Sequence, residues 1–442
     1  MRTPLGTTAF VLSRIVAVAT TVTLAAQSVP QAYVGARLLP IDGPPIEVGT
    51  LVVHEGRIVA IGPVDGVTIP DGAQRHDMSG KVLMPGLVCS HTHIGAIAGA
   101  DSSSPIQPEV RALDAINVRD PGIQKAQAGG ITTVNCMPGS GHLLSGQTVY
   151  LKLRDGRTID DLLIRMPDGS IAGGIKMANG TNPQRDPPFA GTRAKSAALM
   201  RAQLLKAREY RDKIARADGD ASKLPERHLG LEALVEALDG KRIVHHHTHR
   251  HDDIVTVLRI AKEFEFRVVL HHVSEGWRVA PEIAAANVPC SVIVIDSPGG
   301  KHEAAKLSFD TGAVLDRAGV LVGFHTDDPI TDSRLFLRSA ALAVRAGMDR
   351  DAALRAVTIA NARMLDLQDR IGTLTVGKDA DFVVLSGDPF SIYTNVLETY
   401  VDGEKVFDRA DPKDRLFAFG GYGASHDQAF HMCCFGQQAE NQ

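Results

Sequence analysis

The sequence predicts an α/β fold, a (β/α)8 barrel carrying a small β domain built from both chain ends. Short apolar stretches alternate with helical ones across about 250 residues of the middle of the chain, which implies a parallel sheet covered by helices. With roughly eight such units, a barrel fits better than an open sheet. No Gly-x-Gly-x-x-Gly follows the first strand, which speaks against a dinucleotide fold. Turn-rich β stretches flank the middle on both sides.

Composition sets the outer bounds. The chain has 442 residues, 44% of them hydrophobic, enough for one large barrel-type core. A net charge of −4 argues against a basic nucleic-acid surface and against an acidic disordered tail. Aromatic residues make up only 5% while glycines number 42, which suits an α/β enzyme with many tight turns. The five cysteines, Cys89, Cys136, Cys290, Cys433 and Cys434, form no Cys-x-x-Cys. A disulfide framework or zinc–thiolate site is therefore not expected, and Cys89 and Cys136 read as small apolar core residues. The compositional anomaly is histidine. There are 17, and five of them lie between Val244 and Asp252.

Residues 1–28 read as a secretory signal peptide. Arg2 and Arg14 precede a short apolar run, Ile15 to Ala26, that ends in small residues. The run is too short for a membrane-spanning helix. Export to the periplasm or the exterior follows; a surface helix or a misplaced start would leave the protein cytoplasmic. No other stretch suggests a membrane. Residues 29–84 and 368–412 form the expected composite β domain. Its strands are Ala32–Pro40, a hairpin across Gly49–Gly62 turning at His54–Arg57, Gly80–Gly86, Gly372–Leu385, and a hairpin at Val401–Val406.

Residues 85–367 form the expected barrel. Its strands are expected at Gly130–Cys136, Ser170–Met177, Lys241–His247, Phe266–His272, Pro289–Ile295 and Gly319–Phe324. Its helices are expected at Pro121–Gly129, Thr192–Ala215, Leu231–Leu238, Asp252–Glu263, Ala280–Ala286 and Ser333–Ala346, the long second one with Arg and Lys on its wet face. The tail, 413–442, has no assigned role.

Chemistry in such a barrel sits at the C-terminal ends of its strands. Those ends carry His91 and His93, after the apolar run Leu83–Val88, and then Lys176, His247, His272 and Asp327. Residues i and i+2 of an extended chain point the same way, so His91 and His93 can share one ion. Imidazole and carboxylate suit zinc and similar divalent ions, which make water acidic enough to supply hydroxide near neutral pH. Asp327 is then placed to accept that proton and pass it on. Each residue also has a plain reading: His271 and His272 as core histidines, Asp327 as a helix cap, Lys176 as a surface lysine. The ordered set of strand ends is what carries weight.

Four stretches together resemble the amidohydrolase superfamily: Met84-Pro85-Gly86-Leu87-Val88 with Ser90-His91-Thr92-His93, Gly129–Val134, His325-Thr326-Asp327, and Ile371–Val384. The last is typical of imidazolonepropionase-like and dipeptidase-like members. The resemblance runs from about Ala32 to Phe407 and implies a distorted TIM barrel with a small β-sandwich domain and one or two metals. It implies His91, His93 and Asp327 on a first ion, His247 and His272 on a second, and a carboxylated Lys176 between them. The alternative is one ion, with Lys176 facing substrate. Mapping onto the family pattern selects His247 among its neighbours and His272 over His271. His249 shares the face of His247, and with Arg250 and His142 it is a candidate for binding substrate. Arg250 stands where cytosine deaminases and imidazolonepropionases carry a glutamate that shuttles protons, which argues against deamination; a clamp to Asp253 is its structural alternative. The resulting expectation is a two-zinc hydrolase of an amide-type C–N bond in a small molecule, an N-acyl amino acid, dipeptide or cyclic amide, with Asp327 as general base and acid. Kept beside it are a one-metal hydrolase of a lactone or ester, a deaminase, an inactive barrel and a histidine-rich metal binder. Homo-oligomerisation is left open.

Overall fold

A computed structural model describes residues 29–95, 101, 103–294 and 301–420. The expected signal peptide, the tail beyond Gly420 and residues 295–300 of the loop expected after Pro289–Ile295 lie outside the described residues. The chain opens with β1 (Gln31–Leu38), β2 (Ile46–His54), β3 (Arg57–Pro63), β4 (Gln74–Asp77) and β5 (Val82–Pro85). It continues through β6 (Leu87–Thr92), β7 (Ile131–Cys136), β8 (Leu144–Gln147), β9 (Val149–Lys152), β10 (Ile175–Ala178), β11 (Val244–Thr248), β12 (Val268–His272), β13 (Cys290–Ile293) and β14 (Val322–His325). It returns with β15 (Phe382–Leu385), β16 (Val396–Val401) and β17 (Glu404–Asp408).

Strands from both ends meet in one eight-stranded sheet, in the order β17-β16-β15-β5-β1-β2-β3 with β4 on β1. The junction is β5 against β15, antiparallel, with Met84 opposite Val383. Alternation explains the pairing: Leu83, Phe382, Val384 and Tyr400 bury one face together with Tyr33 and Leu51.

The middle of the chain forms a six-stranded sheet, β14-β13-β12-β11-β10-β8, and a three-stranded sheet, β6-β7-β9. β10 to β14 are parallel throughout, as are β6 and β7. β8 and β9 run antiparallel to their neighbours β10 and β7, and they were not expected from the sequence. They run antiparallel and so stand outside the strand–helix alternation. The helices expected from the alternating pattern form with shifts of a few residues, the longest being Arg193–Ala217. Two short helices, Arg350–Ala356 and Ile359–Arg363, were not foreseen.

The second of these fastens β6 to β14. Asn361 Nδ2 donates to the carbonyls of Val88 and Phe324, both at 2.6 Å. Gly323 makes room for it, since a Cβ there would come 2.1 Å from Asn361 Oδ1. Beyond the strands, the Asp327 N–H donates to the His91 carbonyl at 3.0 Å.

A buried cation joins the middle of the chain to the eight-stranded sheet. Lys152, at the end of β9, is 1% exposed. Its Nζ lies 2.6 Å from Asp379, 3.1 Å from Asp381, and against Asp402. This is what Gly377-Lys378-Asp379-Ala380-Asp381 does in the fold: its carboxylates neutralise a lysine from β9.

Replacing Lys152 by Met leaves those carboxylates buried without their cation and should cost about 3–5 kcal/mol, read as a lower urea midpoint; an unchanged midpoint would contradict this role. Asn361→Ala strands two buried carbonyls and should cost about 1–3 kcal/mol by the same measurement.

Candidate metal centre

The ends of β6 and β14 deliver the first donor set. His91 Nε2 is 3.2 Å and His93 Nε2 3.1 Å from Asp327 Oδ1. The two imidazole nitrogens are 3.4 Å apart. A tetrahedral ion with bonds of about 2.0–2.1 Å needs donors about 3.3–3.4 Å from one another, so the spacing fits a zinc-like ion. His93 Nδ1–H donates to the Met137 carbonyl at 2.7 Å, which leaves the lone pair on Nε2.

A second set lies beside it. His247, His249 and His272 bring nitrogens within 4.8 Å of one another, and so do His91, His272 and His325. Both ring nitrogens of His247, His249 Nε2 and His272 Nε2 are buried without a hydrogen bond among the described residues. Such groups cost free energy when left unpaired, so this donor set suits a cation as its partner. His249 Nδ1 is 2.7 Å from Ser274 Oγ, which aims its Nε2 into the cluster.

Burial keeps these imidazoles neutral. It holds His247, His272 and His91 well below the usual histidine range; a proton on His247 would also be repelled by one on His249, a proton on His272 by one on His247, and a proton on His91 by the Lys176 ammonium. His249 is pushed down to about 4 and His325 to about 3, again by burial first. A neutral ring offers the lone pair that a metal needs. For Asp327, burial favours the protonated acid, but the neighbouring His272 and His93 outweigh it and hold the carboxyl well below its ordinary range.

Lys176 is fully buried, its Nζ 3.2 Å from His91 Nε2 and 3.1 Å from Met137 Sδ. His142 is buried against Phe189, its ring 5.4 Å away, and burial together with Arg185 pushes it down to about 4. Among the described residues it makes no hydrogen bond to the cluster. Arg250 points elsewhere. It lies where the helix His251–Phe264 starts, and its guanidinium grips Asp252 at 3.0 and 2.8 Å on the surface. The clamp to Asp253 does not form, because Asp253 faces inward and Arg193 holds it at 2.9 Å.

Three features were not foreseen. His272 sits at φ +72 and Val273 at φ +42, left-handed backbone that breaks the strand's alternation. Successive residues His271 and His272 therefore both face inward, His271 towards His91 and His245, His272 towards His247 and His325. His325 was part of a quoted motif but had no role. It lies two residues before Asp327, a spacing that the alternation rule can flag. Glu303, after β13, is 3% exposed. Its Oε2 accepts from the Thr181 N–H at 2.8 Å and its Oε1 lies 3.8 Å from His247 Nε2. Nothing in its local sequence marks it. A cavity of about 910 Å³ opens at the opposite strand ends among Ile243, Val268 and Pro289, away from these donors.

Comparison with known proteins agrees with the geometry. The model of the Amidohydrolase family matches residues 273–407. Amidohydrolase tasK of Hapsidospora irregularis is 27% identical over 392 residues, 81% of this chain; the chain spans 40% of that protein's length. A 5-methylthioadenosine/S-adenosylhomocysteine deaminase of Symbiobacterium thermophilum is 25% identical, over 85% of this chain and 92% of that protein. The crystal structure of an amidohydrolase from Thermotoga maritima MSB8 superposes with a TM-score of 0.79 at 33% identity, over 86% of this chain and all of that one. With the inward-facing histidines and Asp327 at the strand ends, these likenesses make the chain a member of the amidohydrolase superfamily.

Proposed function

We propose that the protein is a metal-dependent hydrolase that cleaves an amide-type C–N bond in a small molecule, an N-acyl amino acid, a dipeptide or a cyclic amide. The observation that carries this reading is the convergence of His91 Nε2, His93 Nε2 and Asp327 Oδ1 at 3.1–3.4 Å. These three would hold one divalent ion, and imidazole with carboxylate favours zinc. His247 and His272 would hold a second, with Lys176, carboxylated, between the two. The two inner sheets are read as the wall of one distorted barrel, supported by the Asp327–His91 backbone bond and the Asn361 clip. The apolar leader at 1–28 extends the proposal to an exported enzyme.

When bound, such ions supply Lewis acidity and bring the pKa of water towards neutrality. The chain's own residues do the rest. Asp327 is ionised, so it can accept a proton from the attacking water and return it to the departing nitrogen. His249, steadied by Ser274, presents Nε2 to the substrate side of the cluster. Low exposure of the whole set excludes bulk water and strengthens each polar contact.

A deaminase is the second reading. It is supported by the relative named as a 5-methylthioadenosine/S-adenosylhomocysteine deaminase, and Glu303 offers a buried carboxylate beside His247. Against it stands Arg250, turned to Asp252 where deaminases place their glutamate.

Purified protein loaded with zinc should release amino acid from a panel of N-acyl amino acids and dipeptides, or open a cyclic amide. Activity should vanish with a chelator and return with zinc. Ammonia from aminopurine nucleosides, with no amide cleaved, would favour the second reading; neither product would sink both. Asp327→Asn should lower kcat by about 10²–10⁴-fold in a folded protein, measured on the best substrate of that panel; wild-type kcat would remove Asp327 from the mechanism.

A further inference from the structure

A file of buried hydrogen bonds runs from His91 away from the donor set. His91 Nδ1 is 3.3 Å from His271 Nδ1, His271 Nε2 is 3.0 Å from His245 Nδ1, and His245 Nε2 is 2.8 Å from the Tyr150 hydroxyl. The three rings are fully buried and Tyr150 nearly so. A neutral imidazole has one N–H and one lone pair, so the file can run in only two directions.

The outer end selects one. His91 Nε2 is the ring nitrogen that converges on the first donor set. The same Nε2 faces His93 Nε2 and Asp327 Oδ1. An ion held between these donors needs the lone pair of His91 on Nε2 and its proton on Nδ1. His91 then donates to His271, His271 donates from Nε2 to His245, and His245 donates from Nε2 to the Tyr150 oxygen. The opposite direction, with Tyr150 donating inwards, ends with a proton on His91 Nε2 and no lone pair for an ion. Packing holds the file in place. Gly174 leaves space for the His245 ring, since a Cβ there would come 2.5 Å from His245 Cδ2. The His91 ring stacks on His325 at 4.8 Å. His93 achieves the same polarity in one step, through the Met137 carbonyl.

We propose that Tyr150, His245 and His271 are positioning residues that lock His91 in the tautomer whose Nε2 ligates metal, with the Tyr150 hydroxyl as terminal acceptor. The proposal rests on the reading of His91 as a metal ligand. It also gives His245, from the five-histidine cluster, a function at a distance from any ion.

The test is the zinc affinity of the full-length apo-protein, measured by competition with a chromophoric chelator, for wild type, His271→Leu, His271→Asn and Tyr150→Phe. His271→Leu should weaken zinc binding about 10–100-fold. His271→Asn keeps an acceptor near the Nδ1 position and should recover most of the loss. Tyr150→Phe should weaken binding in the same direction by less. A folded His271→Leu protein with wild-type affinity, or an Asn variant no better than Leu, overturns the proposal. Should His271→Leu fail to fold, Tyr150→Phe decides, and wild-type affinity in that variant overturns it. Wild-type protein that takes up no zinc refutes the metal centre itself, whereas tight zinc binding unmoved by these variants refutes only the tautomer lock.

Discussion

Everything at the site depends on the approach of β6 to β14, the first and last strands of the middle segment. The Asp327 amide donates to the His91 carbonyl, and Asn361 holds the carbonyls of Val88 and Phe324 with one side-chain amide. Those bonds bring two histidines into register with a carboxylate more than two hundred positions later. Without them His91 and His93 are a pair of imidazoles with nothing opposite. The Lys152 ion cluster plays the corresponding part on the outside, binding β9 to the sheet made from both chain ends.

The local physics of the site is a concentration of neutral imidazole. Burial keeps His91, His247 and His272 neutral, and among the described residues the carboxylates beside them are those of Asp327 and Glu303. Asp327 is the principal anion among them. A cluster of this kind has lone pairs in excess and donors in short supply. Two resolutions are open to it: hydrogen bonds between rings, as in the file through His271 and His245, or a cation. Among the described residues, the nitrogens that lack the first, both of His247 and Nε2 of His249 and of His272, belong to one donor cluster.

Much of the fold was legible because apolar strands alternate with helices and are punctuated by turn glycines. The chain-end β strands, the parallel middle strands and the helix after Thr192 are all of this kind. β8 and β9 were not legible, since they run antiparallel and stand outside the strand–helix alternation, and neither were the short helices around Asn361, whose value lies in a tertiary bond. In the site, parity put His91 and His93 on one face, where the structure sets them against Asp327, whereas His247 was selected by the resemblance and lies in the adjacent donor set. Parity failed at His271 and His272, where left-handed backbone turns both rings inward. Arg250 was misplaced because a helix start offered its guanidinium a nearer carboxylate in Asp252. Glu303 arrives from a loop whose sequence carries no signal, and only folding sets it beside His247.

The central claim is that these strand ends hold divalent ions. An anomalous difference map from zinc-loaded crystals, collected on both sides of the zinc absorption edge, tests it most directly. The account predicts one peak between His91 Nε2, His93 Nε2 and Asp327, and a second at His247 and His272. Zinc bound only at surface histidines, with these donors vacant, would contradict it.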